Sequence, residues 1–348
     1  METISGRYQM NHEQLRSVAN AMVADGKGIL AADESTGTIT KRLASVDVES
    51  TEENRRTYRG LLFTTPEVEE FISGVIMYDE TIRQSTDDGR PFPDLLSSRG
   101  ILPGIKVDKS THPLAMHKGE VVTEGLDGLR ERFAEYRDMG ARFAKWRAVI
   151  RIGEGIPSDF CIRANAHALA RYAALAQEEG LVPIVEPEVL MDGSHTIEQC
   201  ERVTKTTLNE VFSQLIEHRI YLEGMILKPN MVIAGKETGQ QSSPEEVARK
   251  TLRTFRQVVP AAVPGIVFLS GGQSPQRATQ NLNAMNQMGS QPWELSFSYG
   301  RALQEPVLET WRGQEENEEK AQERLLRRAR LNSSARAGEY SSDMEKAA

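Results

Sequence analysis

Residues 181–190 read LVPIVEPEVL, an apolar run that ends in two carboxylates, Glu186 and Glu188. Seven other short apolar runs occur at fairly even intervals, and most of them also end in a charged or phosphate-compatible residue. They are KGILAAD (27–33), GVIMYD (74–79), ILPGIKVD (101–108), ARFAKWRAVI (141–150), YLEGMILKPN (221–230), GIVFLSGG (265–272) and WELSFSYGR (293–301). Polar stretches with helical spacing separate the runs, and such alternation predicts a parallel sheet. Eight units predict a closed (β/α)8 TIM barrel of the α/β class, whose active-site face lies at the carboxyl ends of the strands.

The length of 348 residues exceeds the roughly 250 residues of a typical barrel, so we expect terminal additions to one domain. Residues 1–332 should form the barrel domain, with an N-terminal helix from Asn11 to about Asp25 and a long charged helix from Gln304 to about Asn332. The small-residue stretch 333–348 predicts a flexible C-terminal tail. A two-domain chain is disfavoured because no Pro/Ser/Gly-rich linker interrupts the alternation.

Six outer helices are predicted between the strands, several of them opening with Ser, Thr or Pro as helix starts do. A loop with the turn signal TGT (36–38) precedes the first. The helices are Glu52–Phe63, Gly125–Met139, Ser158–Glu179, Thr196–His218, Pro244–Val258 and Pro275–Met288.

Charge and cysteine content restrict the class of protein. A formal net charge of -8 argues against a general nucleic-acid binder. Arg324, Arg327, Arg328 and Arg330 are interspersed with glutamates, which indicates a solvated helix with i,i+4 ion pairs rather than a nucleic-acid stripe. Two cysteines in a chain of this size indicate a reduced compartment, and the N-terminal segment contains no apolar targeting core. We therefore expect a cytoplasmic protein with no membrane or nucleic-acid partner.

Lys228 is the first candidate catalytic residue, because it places an amine at the end of an apolar strand. Burial and a nearby cation both lower the pKa of a lysine. A neutral amine can attack a carbonyl and form a Schiff base. A lone lysine at a strand end more often extends to solvent, but other charges converge on the same face.

Lys145 and Arg147 are two residues apart in one strand, and Glu186 and Glu188 repeat that spacing in the next. Neighbouring strands lie about 4.8 Å apart, so these pairs should face each other near Lys228. A purely structural ion-pair cluster would be costly to desolvate, which favours an active site. Lys145 could lower the Lys228 pKa, and Glu186 could shuttle protons. Asp33, at the end of the first strand, is a further acid–base candidate, although an Asp in that position is often only a helix cap.

Two groups of residues are candidates for phosphate binding. Loops after the seventh and eighth strands commonly hold phosphate in barrels, and here they contribute Ser270, Gly271, Gly272, Ser298, Gly300 and Arg301. A second anion site is predicted across the barrel mouth, from Ser35, Thr38, Lys41, Arg42 and Lys106. Two anion sites beside a reactive lysine indicate a doubly phosphorylated carbonyl substrate.

From about Gly26 to Asn332 the chain resembles the class I, Schiff-base-forming, fructose-bisphosphate aldolases. The resemblance is carried by long motifs: KGILAADESTGTITKRL, TEENRR, DDGRPFP, GIKVDK, GLDGL, FAKWR, PIVEPE, YLEGMILKPNM, FLSGGQS, NLNAMN and FSYGRALQ. It implies a metal-independent lyase that reversibly cleaves fructose 1,6-bisphosphate to dihydroxyacetone phosphate and glyceraldehyde 3-phosphate, in glycolysis and gluconeogenesis. It also implies a homotetramer, with a small phosphorylated sugar as substrate and no cofactor. The six histidines, which have no metal-ligand spacing, agree with that expectation.

The resemblance also implies roles for the candidate residues. Lys228 would form the Schiff base, Glu186 would be the acid–base group of carbinolamine chemistry and Glu188 would support Glu186 by hydrogen bonding. Lys145 and Arg147 would position substrate, and Asp33 would take the C4 hydroxyl proton. The Ser270 and Ser298 loops would hold the C1 phosphate. The second anion site, made of Ser35, Thr38, Lys41, Arg42 and Lys106, would lie toward the C6 phosphate. Thr38 stands where the family has a serine.

One feature departs from the family pattern. Many relatives end in a tyrosine that accelerates proton exchange on the enamine, whereas the last tyrosine here is Tyr340. Either Tyr340 does that work from an internal position or the step runs without it, and we expect a weak contribution of the tail.

Two other functions are consistent with parts of the pattern. Transaldolases and deoxyribose-phosphate aldolases are also Schiff-base barrels, although the second anion site disfavours them. A barrel that has lost catalysis and serves as a scaffold is disfavoured because every expected catalytic residue is present.

Overall fold

A computed structural model describes residues 4–239 and 241–346, with side chains described from residue 11 onward. Its strands are β1 (Gly28–Ala32), β2 (Ile72–Met77), β3 (Leu102–Lys106), β4 (Thr111–Pro113), β5 (Val121–Thr123), β6 (Phe143–Ile150), β7 (Val182–Val189), β8 (Ile226–Leu227), β9 (Gly265–Phe268) and β10 (Glu294–Tyr299). Its helices are α1 (Ile4–Met22), α2 (Thr36–Ala44), α3 (Glu52–Thr64), α4 (Asp79–Ile82), α5 (Phe92–Ser98), α6 (Leu129–Asp138), α7 (Asp159–Glu178), α8 (Ile197–Glu217), α9 (Pro244–Val258), α10 (Pro275–Asn286), α11 (Arg301–Trp311) and α12 (Glu318–Arg336).

The sheet is a closed barrel of parallel strands in the order β1-β10-β9-β8-β7-β6-β3-β2. Each predicted apolar run supplies one of these strands, so the predicted TIM barrel is confirmed. β4 and β5 pair as an antiparallel hairpin outside it, which the sequence reading did not include. Parallel strands are covered on both faces, and accordingly every residue of β7 is buried.

Side chains fill the barrel interior. Phe143 fits there because the two strands next to β6 on one side carry glycine: a Cβ on Gly74 of β2 would lie 3.0 Å from its ring, and one on Gly104 of β3 would overlap it. Below this layer, Leu15 and Met22 of α1 pack into the same interior cluster. The N-terminal helix therefore closes the bottom of the barrel, and it starts earlier than the predicted Asn11.

Helix starts follow the capping residues in the sequence. Thr196 begins α8 with a complete capping box, in which Gln199 returns the hydrogen bond. Ser158 caps α7 by accepting from the Cys161 N–H, and Ser243 caps α9 by accepting from the Glu246 N–H. The six predicted outer helices are confirmed, α9 with the predicted bounds and the other five with one or both ends shifted by one to four residues. The TGT segment, predicted as a loop, is instead the first turn of α2.

The predicted single helix from Gln304 to Asn332 was wrong. The chain breaks after Trp311, where Arg312 adopts a left-handed conformation (φ 48°) followed by Gly313 (φ 69°). Trp311 is buried, and the break lets α12 run back across the barrel. The ion pairs that α12 arginines form in the described chain also differ from the predicted i,i+4 pattern, because Arg328 pairs with Glu345 and Arg336 with Glu294.

The boundary of the tail also differs from the prediction at residue 333. α12 continues to Arg336, and Tyr340 beyond it is buried. The Tyr340 N–H donates to Asn283 Oδ1 (3.0 Å), and its hydroxyl donates to Glu345 Oε1 (3.0 Å). The small side chains of this segment allow it to pack closely against the barrel. Residues 347–348 lie outside the described residues, and flexibility of the tail stays a prediction. None of the described helices has both the length and the hydropathy to cross a membrane.

We expect Gly104→Ala to lower the free energy of unfolding by about 1–3 kcal/mol, because the added methyl group overlaps Phe143 within a fixed sheet. Gly37→Ala is the control, since a Cβ there meets nothing within 4 Å. Urea unfolding followed by circular dichroism compares the two. Equal stability of the variants would contradict the packing described for the interior.

Candidate active site

A cavity of about 550 Å³ opens at the carboxyl ends of the barrel strands. All but one of the predicted site residues line it. They are Asp33, Ser35, Thr38, Arg42, Lys106, Lys145, Arg147, Glu186, Glu188, Lys228, Ser270, Gly271, Gly272, Ser298, Gly300 and Arg301. Side chains that are scattered over 269 positions of the sequence therefore converge on one space, because parallel strands bring their carboxyl ends to the same rim.

Lys228 lies directly after the short strand β8, and its backbone N–H donates to the Val185 carbonyl (2.8 Å). Its side chain is 4% exposed, and Nζ lies 3.4 Å from Glu186 Oε1. Burial lowers the pKa of Lys228 and the Lys145 charge lowers it further, against the opposing attraction of Glu186. Lys228 is thus a lysine that can reach its neutral, nucleophilic form.

Lys145 bridges the two acidic groups of the cavity floor. Its Nζ lies 2.6 Å from Asp33 Oδ2 and 3.3 Å from Glu186 Oε2. Burial opposes charge on Lys145, but Asp33 and Glu186 outweigh it and raise the Lys145 pKa above its ordinary value. Burial likewise opposes ionisation of Asp33, and Lys145 and Lys228 outweigh it and lower the Asp33 pKa. The pKa values of these two lysines are therefore shifted in opposite directions, that of Lys145 upward and that of Lys228 downward.

Strand register produces the second pair of charges. β6 and β7 align Arg147 with Glu186 and Val149 with Glu188. Arg147 Nε donates to a carboxylate oxygen of Glu188, and the Glu188 charge raises the Arg147 pKa. Glu188 is thus held by Arg147, whereas the expected role of Glu188 toward Glu186 stays a prediction.

The loops after β9 and β10 form one wall. Gly271 and Gly272 both have positive φ (57° and 89°), which favours glycine. A Cβ on Gly272 would lie 2.8 Å from Arg301 Nη2, so glycine leaves room for that guanidinium. Ser298 is buried, and its hydroxyl has no hydrogen-bond partner among the described residues. A buried hydroxyl without a partner beside an arginine can serve an anion.

The opposite wall is formed by the start of α2 and by β3. The hydroxyls of Ser35 and Thr38 lie 3.2 Å apart at the first turn of the helix. Lys106 Nζ lies 2.5 Å from Asp108 Oδ1. The prediction placed Lys41 here, but Lys41 is exposed and does not line the cavity. It precedes Arg42 by one position, about 100° around the helix, so it points away when Arg42 faces the cavity.

Sequence reasoning missed several residues that line the cavity. Glu34 is buried and pairs with Arg42, and Asp108 accepts from Lys106. The other polar residues missed are Ser110, Thr111, Asp192 and Lys236. Glu34 and Asp108 follow strand ends by one or two positions, a signal the sequence contained. Asp192 and Lys236 meet only because two loops lie side by side. In residues 4–239 and 241–346, no group of three His, Cys, Asp or Glu side chains is arranged to hold a metal ion.

All comparisons with known proteins indicate similarity to the same family. The family model described as fructose-bisphosphate aldolase class-I matches residues 14–348. A probable fructose-bisphosphate aldolase class 1 of Xanthomonas axonopodis pv. citri is 58% identical, over 95% of this chain and 99% of that protein. Fructose-bisphosphate aldolase 6, cytosolic, of Arabidopsis thaliana is 56% identical, over 94% of this chain and 92% of its own. Fructose-bisphosphate aldolase from Plasmodium falciparum, solved in complex with TRAP and a small-molecule inhibitor, superimposes with a TM-score of 0.94 at 51% identity, covering 96% of each chain.

We expect Lys145→Met to raise the pKa of Lys228. The change removes the cation that favours the neutral amine, and the negative charge of Glu186 then acts on Lys228 alone. Acetic anhydride labelling of Lys228 across pH, followed by mass spectrometry, measures the midpoint. Lys41→Met, which alters an exposed lysine outside the cavity, should leave that midpoint in place. A midpoint that falls in Lys145→Met would contradict the assigned electrostatics.

Proposed function

We propose a residue-level mechanism for this chain, which belongs to the class I fructose-bisphosphate aldolase family. Its reaction is the reversible cleavage of fructose 1,6-bisphosphate to dihydroxyacetone phosphate and glyceraldehyde 3-phosphate. Family membership decides against the transaldolase and deoxyribose-phosphate aldolase alternatives. The observation that supports the mechanism is the pairing of Lys228, whose pKa is lowered, with Glu186 at 3.4 Å.

Schiff-base formation is the first step. Glu186 takes a proton from Lys228, and the neutral amine attacks the C2 carbonyl; transfer of a proton from the nitrogen to the new alkoxide gives a carbinolamine. Glu186 then donates a proton to the C2 hydroxyl, water leaves and a protonated imine remains. Burial supports this step, since water is excluded from an amine that must lose its proton.

Carbon–carbon cleavage is the second step. Asp33 accepts the C4 hydroxyl proton while the electrons of the C3–C4 bond move into the imine, so glyceraldehyde 3-phosphate leaves and an enamine remains on Lys228. Lys145, 2.6 Å from Asp33, keeps that carboxyl ionised and stabilises negative charge that develops on the C4 oxygen. Protonation of C3 and hydrolysis of the imine then release dihydroxyacetone phosphate and free Lys228.

Two phosphate sites orient the substrate. The residues proposed for the C1 phosphate are Ser270, Gly271, Gly272, Ser298, Gly300 and Arg301, and those for the C6 phosphate are Ser35, Thr38, Arg42 and Lys106. Lys41 does not belong to this set because it faces solvent. Phosphates fixed at both ends place C2 over Lys228, and such positioning accounts for much of the advantage of enzymes over free reactants.

Location and assembly are also part of the proposal. We infer a cytoplasmic homotetramer, on the family resemblance and on relatives whose names include "cytosolic" or "cytoplasmic isozyme". Exposed apolar side chains support an interface: Met116 is 99% exposed, and Phe160, 51% exposed, stacks on His117.

Lys228→Met should abolish both cleavage and the covalent adduct formed when the protein is incubated with dihydroxyacetone phosphate and reduced with borohydride. Peptide mapping by mass spectrometry locates the adduct in the parent protein. Lys250→Met is the matched control, because Lys250 is also buried but pairs with Glu198 and Glu201 outside the cavity. An adduct on a different lysine would overturn the assignment of Lys228, and EDTA-sensitive cleavage without an adduct would overturn the mechanism.

Tyr340→Phe should keep kcat within about threefold of the parent, because the Tyr340 hydroxyl binds Glu345 and the residue does not line the cavity. The phenylalanine ring preserves the buried packing, so the variant isolates the hydroxyl. Steady-state cleavage and exchange of the C3 proton of dihydroxyacetone phosphate with deuterium are the measurements. A loss of exchange by orders of magnitude would assign Tyr340 to the enamine step.

A further inference from the structure

We infer that Glu34 is a positioning residue, which holds Arg42 in the orientation that receives the second phosphate of the substrate. The inference rests on the proposed function, in which Arg42 serves the C6 phosphate. Glu34 follows Asp33 directly and lines the cavity, yet it has no role in the mechanism above.

Arg42 is attached to Glu34 through one end of its guanidinium group. Arg42 Nη1 donates to Glu34 Oε1, and this is the contact that the Arg42 side chain makes within the described chain. The Arg42 side chain is 27% exposed, on the wall that also carries Ser35 and Thr38. A guanidinium has five N–H donors in a planar fork. Glu34 can therefore fix the plane of the fork from one side while Nε and Nη2 stay available to phosphate oxygens.

Glu34 can act as an anchor because it is itself held rigidly. Arg59, 2% exposed, places Nη1 2.7 Å from Glu34 Oε2. Gln304 Nε2 donates to Glu34 Oε1 (2.8 Å) and to the Ala31 carbonyl (2.7 Å). Tyr58 orients Gln304 in turn, with its hydroxyl 3.2 Å from Gln304 Oε1. The carboxylate is thus fixed to β1, α3 and α11 before any ligand arrives.

The charge balance favours phosphate binding over simple neutralisation. One carboxylate faces two guanidinium groups, those of Arg42 and Arg59, so the group carries a net charge of +1. Arg59 is buried behind Glu34, whereas Arg42 lies on the cavity side. The surplus positive charge is therefore presented to the cavity, where an arginine fork matches the geometry of a phosphate.

The experiment compares Glu34→Gln with the parent protein on two substrates. Fructose 1,6-bisphosphate uses both phosphate sites, and fructose 1-phosphate uses only the first. Loss of one charge-assisted hydrogen bond should raise KM for the bisphosphate about tenfold. The constant for fructose 1-phosphate (KM, or its inhibition constant if turnover is slow) should change by less than about threefold, and so should kcat on the bisphosphate.

Glu80→Gln is the matched control. Glu80 pairs with Arg55 of α3 (2.5 Å), as Glu34 pairs with Arg59 of the same helix, but Glu80 does not line the cavity. It should reproduce any loss of thermal stability without the selective rise in KM. If Glu34→Gln does not fold, Glu34→Asp tests the same point, because it keeps the charge and withdraws it by one methylene group.

A double-mutant cycle with Arg42→Ala shows whether Glu34 acts through Arg42. Glu34→Gln should have no further effect on the ratio of the two constants once Arg42 is absent. An effect that persists in Arg42→Ala, or an equal loss on both substrates, would overturn the inference. A parent protein that does not cleave fructose 1,6-bisphosphate would instead overturn the proposed function, so the two failures are distinguishable.

Discussion

Four buried ionisable side chains, Asp33, Lys145, Glu186 and Lys228, impose the constraint on which the rest of the site depends. Removing any one of them from water is costly, and the cost is offset only when the partners stand within ion-pair distance. Here Lys145 contacts both carboxylates, and Glu186 contacts both lysines. Because Lys145 binds Asp33 most closely, it retains its proton, and the remaining lysine experiences burial and a neighbouring cation together. The reactivity of Lys228 is therefore a property of the set and not of any single side chain.

The closed barrel makes this arrangement possible. Asp33 follows β1, Lys145 lies in β6, Glu186 in β7 and Lys228 after β8, so the cluster spans the mouth between distant strands. Pairing registers set which side chains share a level, and Lys106 of β3 is aligned with Lys145 of β6. The interior below is filled by the Phe143 layer and closed by α1. A packed apolar floor keeps water from reaching these charges from below, which strengthens their effect on one another.

The sequence contained most of the fold and much of the site. Period and composition located the barrel strands, and polar residues at strand ends identified most residues of the cavity. Glu34 and Asp108, which also follow strands, were missed, as were residues such as Asp192 and Lys236 that meet across loops. The failures have physical causes. A continuous helix after Gln304 was expected because the break at Arg312 requires a positive φ in a residue that seldom adopts it, with only Gly313 as a hint. Lys41 and Arg42 are both basic, so residue type alone cannot tell which of them faces the cavity. The rotation of about 100° per residue along α2 turns Arg42 toward the cavity and Lys41 toward solvent. The partnership of Glu34 with Gln304 joins positions 270 residues apart, which local patterns cannot reveal.

The attachment of α12 has a consequence for synthesis of the chain. Arg336 donates to the carbonyls of Val23, Ala24 and Lys27, at the entrance to β1, and β1 completes the barrel only by pairing with β10. The free edge of β1 stays unpaired until β10 has left the ribosome. A growing chain that stops at β9 therefore exposes two sheet edges, which are surfaces prone to pairing with other chains. Closure of the barrel therefore has to wait for β10, although β1 is among the first strands to be made.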